Sequence, residues 1–275
     1  MDKVFNRSLV KKSIKNEMRK NAIGYARASF LVGLVACLSL SLVLVPPLKQ
    51  ELIFGINLDF LSDWVVFFLG ILTFPLVFLG IKCIDQPETN QTLDYKDGLT
   101  WIENTSDFID LVAMSVLYFL FVTLWTILLV IPGLIKALSY SQALPLYFDA
   151  KKAKQPISYL QAFKISTQLM KGNKTQLLVL FLSFIGYGIL FVFVWGIGDD
   201  LWQGDSVNKP FGILLLIIAQ GLEWWLTLYQ NLTLGAFYRY LVPKIDQSRE
   251  KVDSYVKQNV ENSVKKESIE NYTFK

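Results

Sequence analysis

The sequence predicts an all-α polytopic membrane protein with six transmembrane helices and basic amphipathic cytoplasmic helices. Two observations predict this fold: five long apolar runs, and an uneven distribution of lysine and arginine. Each run can cross a hydrocarbon core of ~30 Å at a helical rise of ~1.5 Å per residue. Because lipid offers no water to backbone amides, such runs are helical or buried within protein. Four runs carry no charge and the fifth carries only Glu223: Ala28–Leu48, Trp64–Ile81, Leu111–Ile135, Thr175–Gly198 and Pro210–Tyr238.

The distribution of basic residues predicts the topology. All but three of the 27 lysines and arginines fall in segments that a six-span chain places on one side, and the exceptions are Lys49, Lys136 and Lys209. Basic loops stay cytoplasmic. We therefore expect a multi-pass protein of the cell membrane with both termini in the cytoplasm and an even number of spans. The acidic loop 83–108 does not change this, because acidic residues contribute little to orientation.

Three segments are expected: a basic amphipathic N-terminal segment at 1–27, a six-span membrane domain at 28–242 and a polar cytoplasmic tail at 243–275. In the first segment apolar residues recur at near-helical spacing and basic residues fill the other face. This pattern favours a helix lying on the anionic inner leaflet. For the first few residues, a solvated cytoplasmic helix is an equal alternative. The basic residues expected to face lipid are Lys11, Lys12, Lys15, Arg19 and Lys20.

The first two spans carry recognisable end signals. Span one, at 28–48, ends at Pro46-Pro47, because proline does not continue a helix comfortably. Span two begins at Trp64, a residue type enriched at membrane interfaces. Pro75 lies within span two, where neighbouring helices can satisfy the freed carbonyl.

The returning span after Pro132-Gly133 is the shortest. Span three, at 111–131, reaches this turn, and the segment Leu134–Phe148 then measures only ~22 Å as a helix. Its polar residues belong inside the bundle rather than against lipid. A re-entrant or surface helix is the alternative, but it would put the lysine-rich loop 150–175 outside, against the charge bias. The polar residues near mid-membrane are Ser139, Tyr140, Ser141 and Gln142.

Residues 156–171 predict another amphipathic helix before span five. Pro156 suits its first turn and Gly172 suits its C-terminal cap. Span five is expected at 175–197, where the apolar run resumes.

The last apolar run is too long for one crossing, since 29 residues measure ~43 Å as a helix. Counted outward from Arg239, Glu223 lies ~24 Å away, near the outer edge of the core. This places Trp224 and Trp225 in the outer aromatic belt. Residues 210–222 are then expected to tilt, to protrude or to fold back along the interface.

Several stretches, in one order, match a known family. They are Ile131–Asp149, Met170–Lys174 leading into Leu182–Tyr187, Gly196–Gly198 followed by Leu201-Trp202, and Gly235–Leu241. In these stretches the chain resembles the domain of unknown function 975 family of bacterial integral membrane proteins. The resemblance implies a six-helix protein of the bacterial plasma membrane without an assigned activity. The chain departs from the family at 199–222, which look inserted, and at Leu228-Tyr229, which replaces a Pro-Tyr step.

The composition argues against catalytic and metal chemistry. The chain has no histidine, the commonest general base and metal ligand. Cys37 and Cys83 are far apart and are interpreted as buried small hydrophobes rather than as a disulfide or metal pair. With no phosphate-cradling glycine loop, we expect no cofactor, no metal and no enzyme activity. The glycines of span five are expected to permit close helix approach: Gly186, Gly188, Gly196 and Gly198.

Four polar residues are candidates for function. Lys136 could hold an anionic headgroup or substrate in a cavity, but a side chain that snorkels to the headgroups is favoured. Tyr140, with Ser139, could line a polar path, but hydrogen bonding between helices is favoured. Glu223 could couple to protons, but an interfacial position is favoured.

Two functions remain open. The first is a non-enzymatic scaffold or accessory protein that binds anionic lipid or other membrane proteins, including copies of itself, and the basic helices favour it. The alternative is a transporter or exporter component with a polar path near Lys136 and Tyr140. No feature points to nucleic acid.

Overall fold

The computed structural model describes residues 7–30, 33–34, 52–53, 56–57, 76–85, 102–204 and 207–244. Most of predicted spans one and two and most of the tail lie outside these residues. The described helices are α1 (Arg7–Lys20), α2 (Ala22–Ala28), α3 (Leu76–Asp85), α4 (Thr105–Leu128), α5 (Val130–Tyr140), α6 (Ala143–Lys152), α7 (Tyr159–Leu169), α8 (Lys174–Leu182), α9 (Ile185–Gln203) and α10 (Lys209–Leu241), and a short 3-10 helix follows at Val242–Lys244. Two short antiparallel strands are β1 (Leu52–Ile53) and β2 (Ile56–Asn57), with Leu52 opposite Asn57.

Three helical segments in the described part of the chain are long and apolar enough to cross a membrane. They are α4 with 24 residues, the α8–α9 segment Lys174–Gln203 with 30, and α10 with 33. At ~1.5 Å per residue they measure roughly 36, 45 and 50 Å. The predicted helical architecture is confirmed, and predicted spans three, five and six correspond to these segments. The six-span count and the orientation stay predictions.

Span five is interrupted, which the sequence analysis did not predict. The helix stops at Leu182 and resumes at Ile185. The Ser183 hydroxyl donates to the Leu180 carbonyl at 2.5 Å, and the Phe184 amide donates to Phe181 at 2.9 Å instead of four residues back. A serine side chain competes in this way with the backbone bonds of a helix.

The segment predicted as Leu134–Phe148 forms two helices with wider limits. α5 begins at Val130, ahead of the predicted turn at Pro132-Gly133, because a proline amide has no partner to lose in the first turn of a helix. Gly133 permits the close approach of α5 to α4, since a Cβ there would lie 2.8 Å from the Thr126 Cα. α5 and α6 are separated at Ser141-Gln142.

The amphipathic helix predicted at 156–171 is α7, and it begins later than predicted. Ser158 is its N-cap, with a reciprocal capping box to Gln161, so Pro156 lies before the helix rather than in its first turn. Gly172 lies beyond its C-terminal end at a φ of 80°, a conformation that glycine adopts without strain.

The insertion-like segment 199–222 is mostly helical. α9 extends to Gln203, and α10 begins at Lys209 and continues without interruption to Leu241. Residues 210–222 therefore continue the helix and do not fold back. Gly212 permits a tight pairing of α9 and α10, because a Cβ there would lie 2.7 Å from the Trp202 amide nitrogen.

The chain divides into two compact units. The first comprises Met1–Val112 and Leu178–Phe237, and the second comprises Ala113–Leu177 and Tyr238–Lys275. In the first unit α3 is buried against α10 through paired glycines. A Cβ on Gly80 would lie 2.6 Å from the Leu232 Cα, and one on Gly235 would lie 2.8 Å from the Ile81 nitrogen.

In the second unit α7 packs on α5 and α6. The Ser166 hydroxyl donates to the Ser139 carbonyl at 2.7 Å, and the rings of Tyr147 and Tyr159 lie 5.2 Å apart. These contacts hold the two halves of the interrupted α5–α6 segment on one partner helix.

Candidate functional site

The N-terminal helices are fixed to α10 and to the break in span five. The Lys11 ammonium donates to the Ser183 hydroxyl at 2.9 Å and to the Ser183 carbonyl at 3.3 Å. It also lies 4.1 Å from the centre of the Phe184 ring, a cation–π distance. In return, the Tyr229 hydroxyl donates to the Lys11 carbonyl at 3.3 Å. Lys11 therefore contacts protein, whereas the sequence analysis placed it against lipid.

This position changes the chemistry of Lys11. Burial lowers the pKa of Lys11, and repulsion by Arg7 and Lys15 lowers it further. The charged form of Lys11 thus has a desolvation cost. The hydrogen bonds to Ser183 and the cation–π contact with the Phe184 ring offset part of this cost.

A second attachment lies at the far end of α2. The Trp224 indole nitrogen donates to the Ser29 hydroxyl at 3.1 Å, and that hydroxyl donates to the Tyr25 carbonyl at 2.7 Å. Ser29 is fully buried. Beyond it, Gly33 leaves room for the Trp224 ring, 3.2 Å from where a Cβ would stand.

Between these attachments, α1–α2 and α10 enclose an open groove of about 290 Å³. We call it the basic–aromatic groove. Its lining is mostly apolar, and two cations stand on the α1 side. The residues that define it are Lys15, Arg19 and Tyr25 on α1–α2, and Trp224, Trp225 and Leu228 on α10.

The five basic residues predicted to face lipid have different surroundings. Lys15 and Arg19 are exposed and line the basic–aromatic groove. Lys12 and Lys20 are exposed and do not line it, and Lys20 pairs with Glu17 at 3.0 Å. Lys11 is turned towards Ser183, as described above. Two cations therefore stand over the groove, and two lie elsewhere on the same helix.

Trp225, which lines the groove, belongs to a group of aromatic rings that pack on one another beside it. Trp225 lies 5.2 Å from Tyr229 and 5.6 Å from Tyr187, and Tyr229 lies 5.2 Å from Phe184, measured between ring centres. From sequence, Trp224 and Trp225 are predicted at the outer membrane surface. Tyr229 and Ser29 could not be predicted as part of the site, because nothing in a single sequence links them to residues far away along the chain.

Lys136 lies in the second unit, beside aromatic rings. Its ammonium stands 4.5 Å from the Trp125 ring centre and 5.7 Å from that of Tyr140. Tyr140 packs edge-on against Phe163 at 5.3 Å. The Ser139 side chain is buried and donates to the Ile135 carbonyl at 2.6 Å. The structure thus brings Lys136 and Tyr140 together in an aromatic cluster.

Glu223 is the last of the candidate residues. It is exposed, and its carboxylate accepts a hydrogen bond from the Gln220 side chain at 2.8 Å. It does not line the basic–aromatic groove, although its neighbours Trp224 and Trp225 do.

The glycines of span five differ in how closely other helices approach them. A Cβ on Gly198 would meet Leu215 and Leu216 at 3.1 Å, which agrees with close helix approach. For the other three no described atom lies within 4 Å of where a Cβ would stand, so close approach there stays a prediction. These three are Gly186, Gly188 and Gly196.

Within the described part of the chain, no three residues of the metal-ligating types His, Cys, Asp and Glu form a cluster that could hold a metal ion. No protein-family model, curated protein or solved structure matches this chain. Membership of the domain of unknown function 975 family therefore stays a prediction.

Proposed function

We propose that this chain is a non-enzymatic integral membrane protein that binds anionic phospholipid in the basic–aromatic groove. In this role it serves as a scaffold or accessory protein for other membrane proteins. One observation carries the proposal: Lys15 and Arg19 stand beside a groove whose opposite wall is Trp224 and Trp225.

The chemistry of the groove suits one class of ligand. Cations near a membrane surface attract the phosphate of an anionic lipid by about 1 kcal/mol each. Tryptophan rings suit the boundary between headgroup and acyl chain, because they are apolar with one hydrogen-bond donor. The groove is at or just below the usual range for small-molecule pockets, about 300–1,000 Å³. It suits the glycerol–phosphate region and upper acyl chain of a lipid rather than a whole lipid.

Native mass spectrometry of the full chain in detergent tests the proposal. The probes are phosphatidylglycerol, which is anionic, and phosphatidylcholine, which is zwitterionic. The variant Lys15→Gln/Arg19→Gln removes the two groove cations, and Lys12→Gln/Lys20→Gln removes two cations of the same helix outside the groove. We expect the first to weaken phosphatidylglycerol binding by about 2 kcal/mol, roughly 30-fold, and the second to change it little.

Two other results would contradict the proposal. An equal loss in both double variants would mean that the charge of α1 attracts lipid without a site. Equal retention of the two lipids by the unmodified protein would mean that the groove does not select for anionic headgroups.

The cellular setting is also proposed. We place the chain in the bacterial plasma membrane, as a member of the domain of unknown function 975 family with six spans and both termini cytoplasmic. The charge distribution supports the orientation. Cysteine labelling from outside intact cells tests it, and reaction of an impermeant reagent at position 152 or 265 would overturn it.

A transporter or exporter component is the second candidate. One observation favours it: the α5–α6 segment is interrupted at Gln142, a buried residue whose Oε1 has no hydrogen-bond partner among the described residues. Interrupted helices build substrate sites in many transporters. An export phenotype that persists in Lys136→Ala and in Tyr140→Phe would mean that these two residues do not form its path.

A further inference from the structure

We infer that the membrane surface on the side of the N-terminus lies at the level of Phe184 and Tyr229. The excess length of α10 then projects from that surface, as residues 230–241, and not from the opposite one. This inference concerns the lipid surface that the first unit contacts, and it does not depend on whether the basic–aromatic groove binds a lipid.

The direction of α1–α2 relative to α10 follows from the residues that join them. Backbone hydrogen bonds from Asn21 to Glu17 and from Tyr25 to Asn21 span the junction, although Asn21 itself has non-helical dihedrals, φ −129° and ψ 48°. The contact of Lys11 with Tyr229 and that of Ser29 with Trp224 are 18 residues apart on α1–α2, at most ~27 Å, but only five residues, ~8 Å, apart on α10. The N-terminal helices thus run across α10 rather than along it.

The crossing determines how the basic helices α1 and α2 lie relative to the membrane. A helix that carries exposed lysine and arginine and lies across a spanning helix is parallel to the membrane surface. The exposed side of α1–α2 also carries large apolar residues, which an interfacial helix buries among headgroups and upper acyl chains. These are Leu9 on α1 and Ile23 on α2, and Phe30 follows two residues beyond the end of α2.

The lengths of α9 and α10 indicate where the membrane boundary lies. From Tyr229 back to Lys209, at the far end of α10, is ~30 Å of helix, the thickness of the hydrocarbon core. From Phe184 to Gln203, at the far end of α9, is ~28 Å. Two adjacent helices therefore give the same boundary on the N-terminal side, where aromatic rings gather as they do at membrane interfaces.

The exposure of side chains changes along α10. Large apolar side chains of α10 are exposed from Phe211 to Ile218, as lipid-facing positions must be. From Leu228 to Phe237 no residue is exposed, and α3 packs on this stretch through Gly80. The part of α10 beyond Tyr229 is therefore covered by protein and does not need lipid.

Glu223 is compatible with this level. It lies ~9 Å from Tyr229 towards the core, and its carboxylate is hydrogen-bonded by Gln220 at 2.8 Å. A carboxylate at that depth is close enough to the surface for water and headgroups to reach it.

Spin labels in lipid vesicles test the inference by depth. The background is the full chain with Cys37→Ser and Cys83→Ser, and single cysteines replace Leu214, Asn231 or Ile189 for labelling. The measurement is the ratio of collision rates with oxygen, which concentrates in hydrocarbon, and with a water-soluble nickel chelate. We expect a high ratio for labels at Leu214 and Ile189 and a low ratio at Asn231.

If the membrane boundary lies at Arg239 instead, the expected ratios at Asn231 and Leu214 are exchanged. Asn231 would then lie ~12 Å inside the core, and Leu214 would lie ~37 Å from Arg239, beyond the core. A high ratio at Asn231 with a low ratio at Leu214 would overturn the inference. Ile189 lies in hydrocarbon at either level and serves as the control. If Asn231→Cys does not fold, Leu234→Cys gives the same contrast.

Discussion

The Lys11 ammonium donates to the Ser183 carbonyl at the point where α8 gives way to α9. The amides of Tyr187 and Gly188, which follow the break, both donate to the Phe184 carbonyl. A cation is well placed at such a point, since the C-terminal end of a helix carries partial negative charge. The interruption of span five therefore provides the carbonyl group to which α1 is attached.

Lys11→Ala should release α1 from the break. It removes a charged hydrogen bond to Ser183 and the contact with the Phe184 ring, together about 1–3 kcal/mol. The measurement is the rate of limited tryptic cleavage within residues 13–27, in detergent or vesicles, and we expect faster cleavage. The unfolding temperature should fall only slightly, because α3 and α10 keep their contacts.

Lys12→Ala is the matched control, because Lys12 is exposed on the same helix. Both variants remove one tryptic site, so the comparison isolates the contact. Equal cleavage rates in the two variants would mean that Lys11 does not hold α1. Lys11→Arg should restore part of the protection, since the charge and the donors remain.

Gly80→Ala should destabilise the first unit. The added Cβ would stand 2.6 Å from the Leu232 Cα, a backbone atom that cannot move away cheaply. Overpacking of this kind typically costs about 1–3 kcal/mol. Gly188→Ala is the control, because no described atom lies within 4 Å of the new Cβ. There the better helix propensity of alanine should stabilise by up to about 1 kcal/mol.

Thermal unfolding in detergent checks this pair. A similar fall in both variants would point to a general intolerance of substitution in these helices. A fall in neither would mean that α3 and α10 are further apart than Gly80 and Leu232 indicate.

The long helices could be predicted from sequence, and their interruptions could not. Uninterrupted apolar runs of spanning length identify α4, α9 and α10, because a lipid environment permits few alternatives. The breaks depend on Ser183 donating to Leu180 and Ser141 donating to Leu138. A membrane helix tolerates most serines without breaking, so the sequence alone does not mark these two.

The basic half of the candidate site could be predicted, and the aromatic half could not. Charge spacing marks Lys15 and Arg19 as members of a basic helix. Their position over a groove depends on contacts such as Ser29 with Trp224, which are 195 residues apart in the chain. A sequence also does not show where a neighbouring helix replaces lipid, so the depth of Trp224 counted from Arg239 stays a prediction.

Asp149→Asn should destabilise the second unit. The Asp149 carboxylate accepts from the Tyr238 hydroxyl at 2.8 Å and from the Arg239 guanidinium at 3.2 Å, and both charged groups are about three-quarters buried. We expect a loss of about 1–3 kcal/mol, seen as a lower unfolding temperature. Asp200→Asn, at an exposed position near the end of α9, should change little. A variant that also carries Arg239→Gln should recover part of the loss, and no recovery would mean that the two side chains act independently.

Lys136 and Trp125 offer a test of what this lysine does. The main role of Lys136 could be a cation–π contact with the Trp125 ring 4.5 Å away. In that case the losses in unfolding free energy caused by Lys136→Met and by Trp125→Leu should not be additive. A double-mutant cycle of unfolding free energies should give a coupling of about 0.5–2 kcal/mol, with the larger value expected in a dehydrated site. Lys136→Arg should keep most of it, because a guanidinium also stacks on indole. A coupling near zero, together with loss of an export phenotype in Lys136→Met, would instead assign the lysine to a transport path.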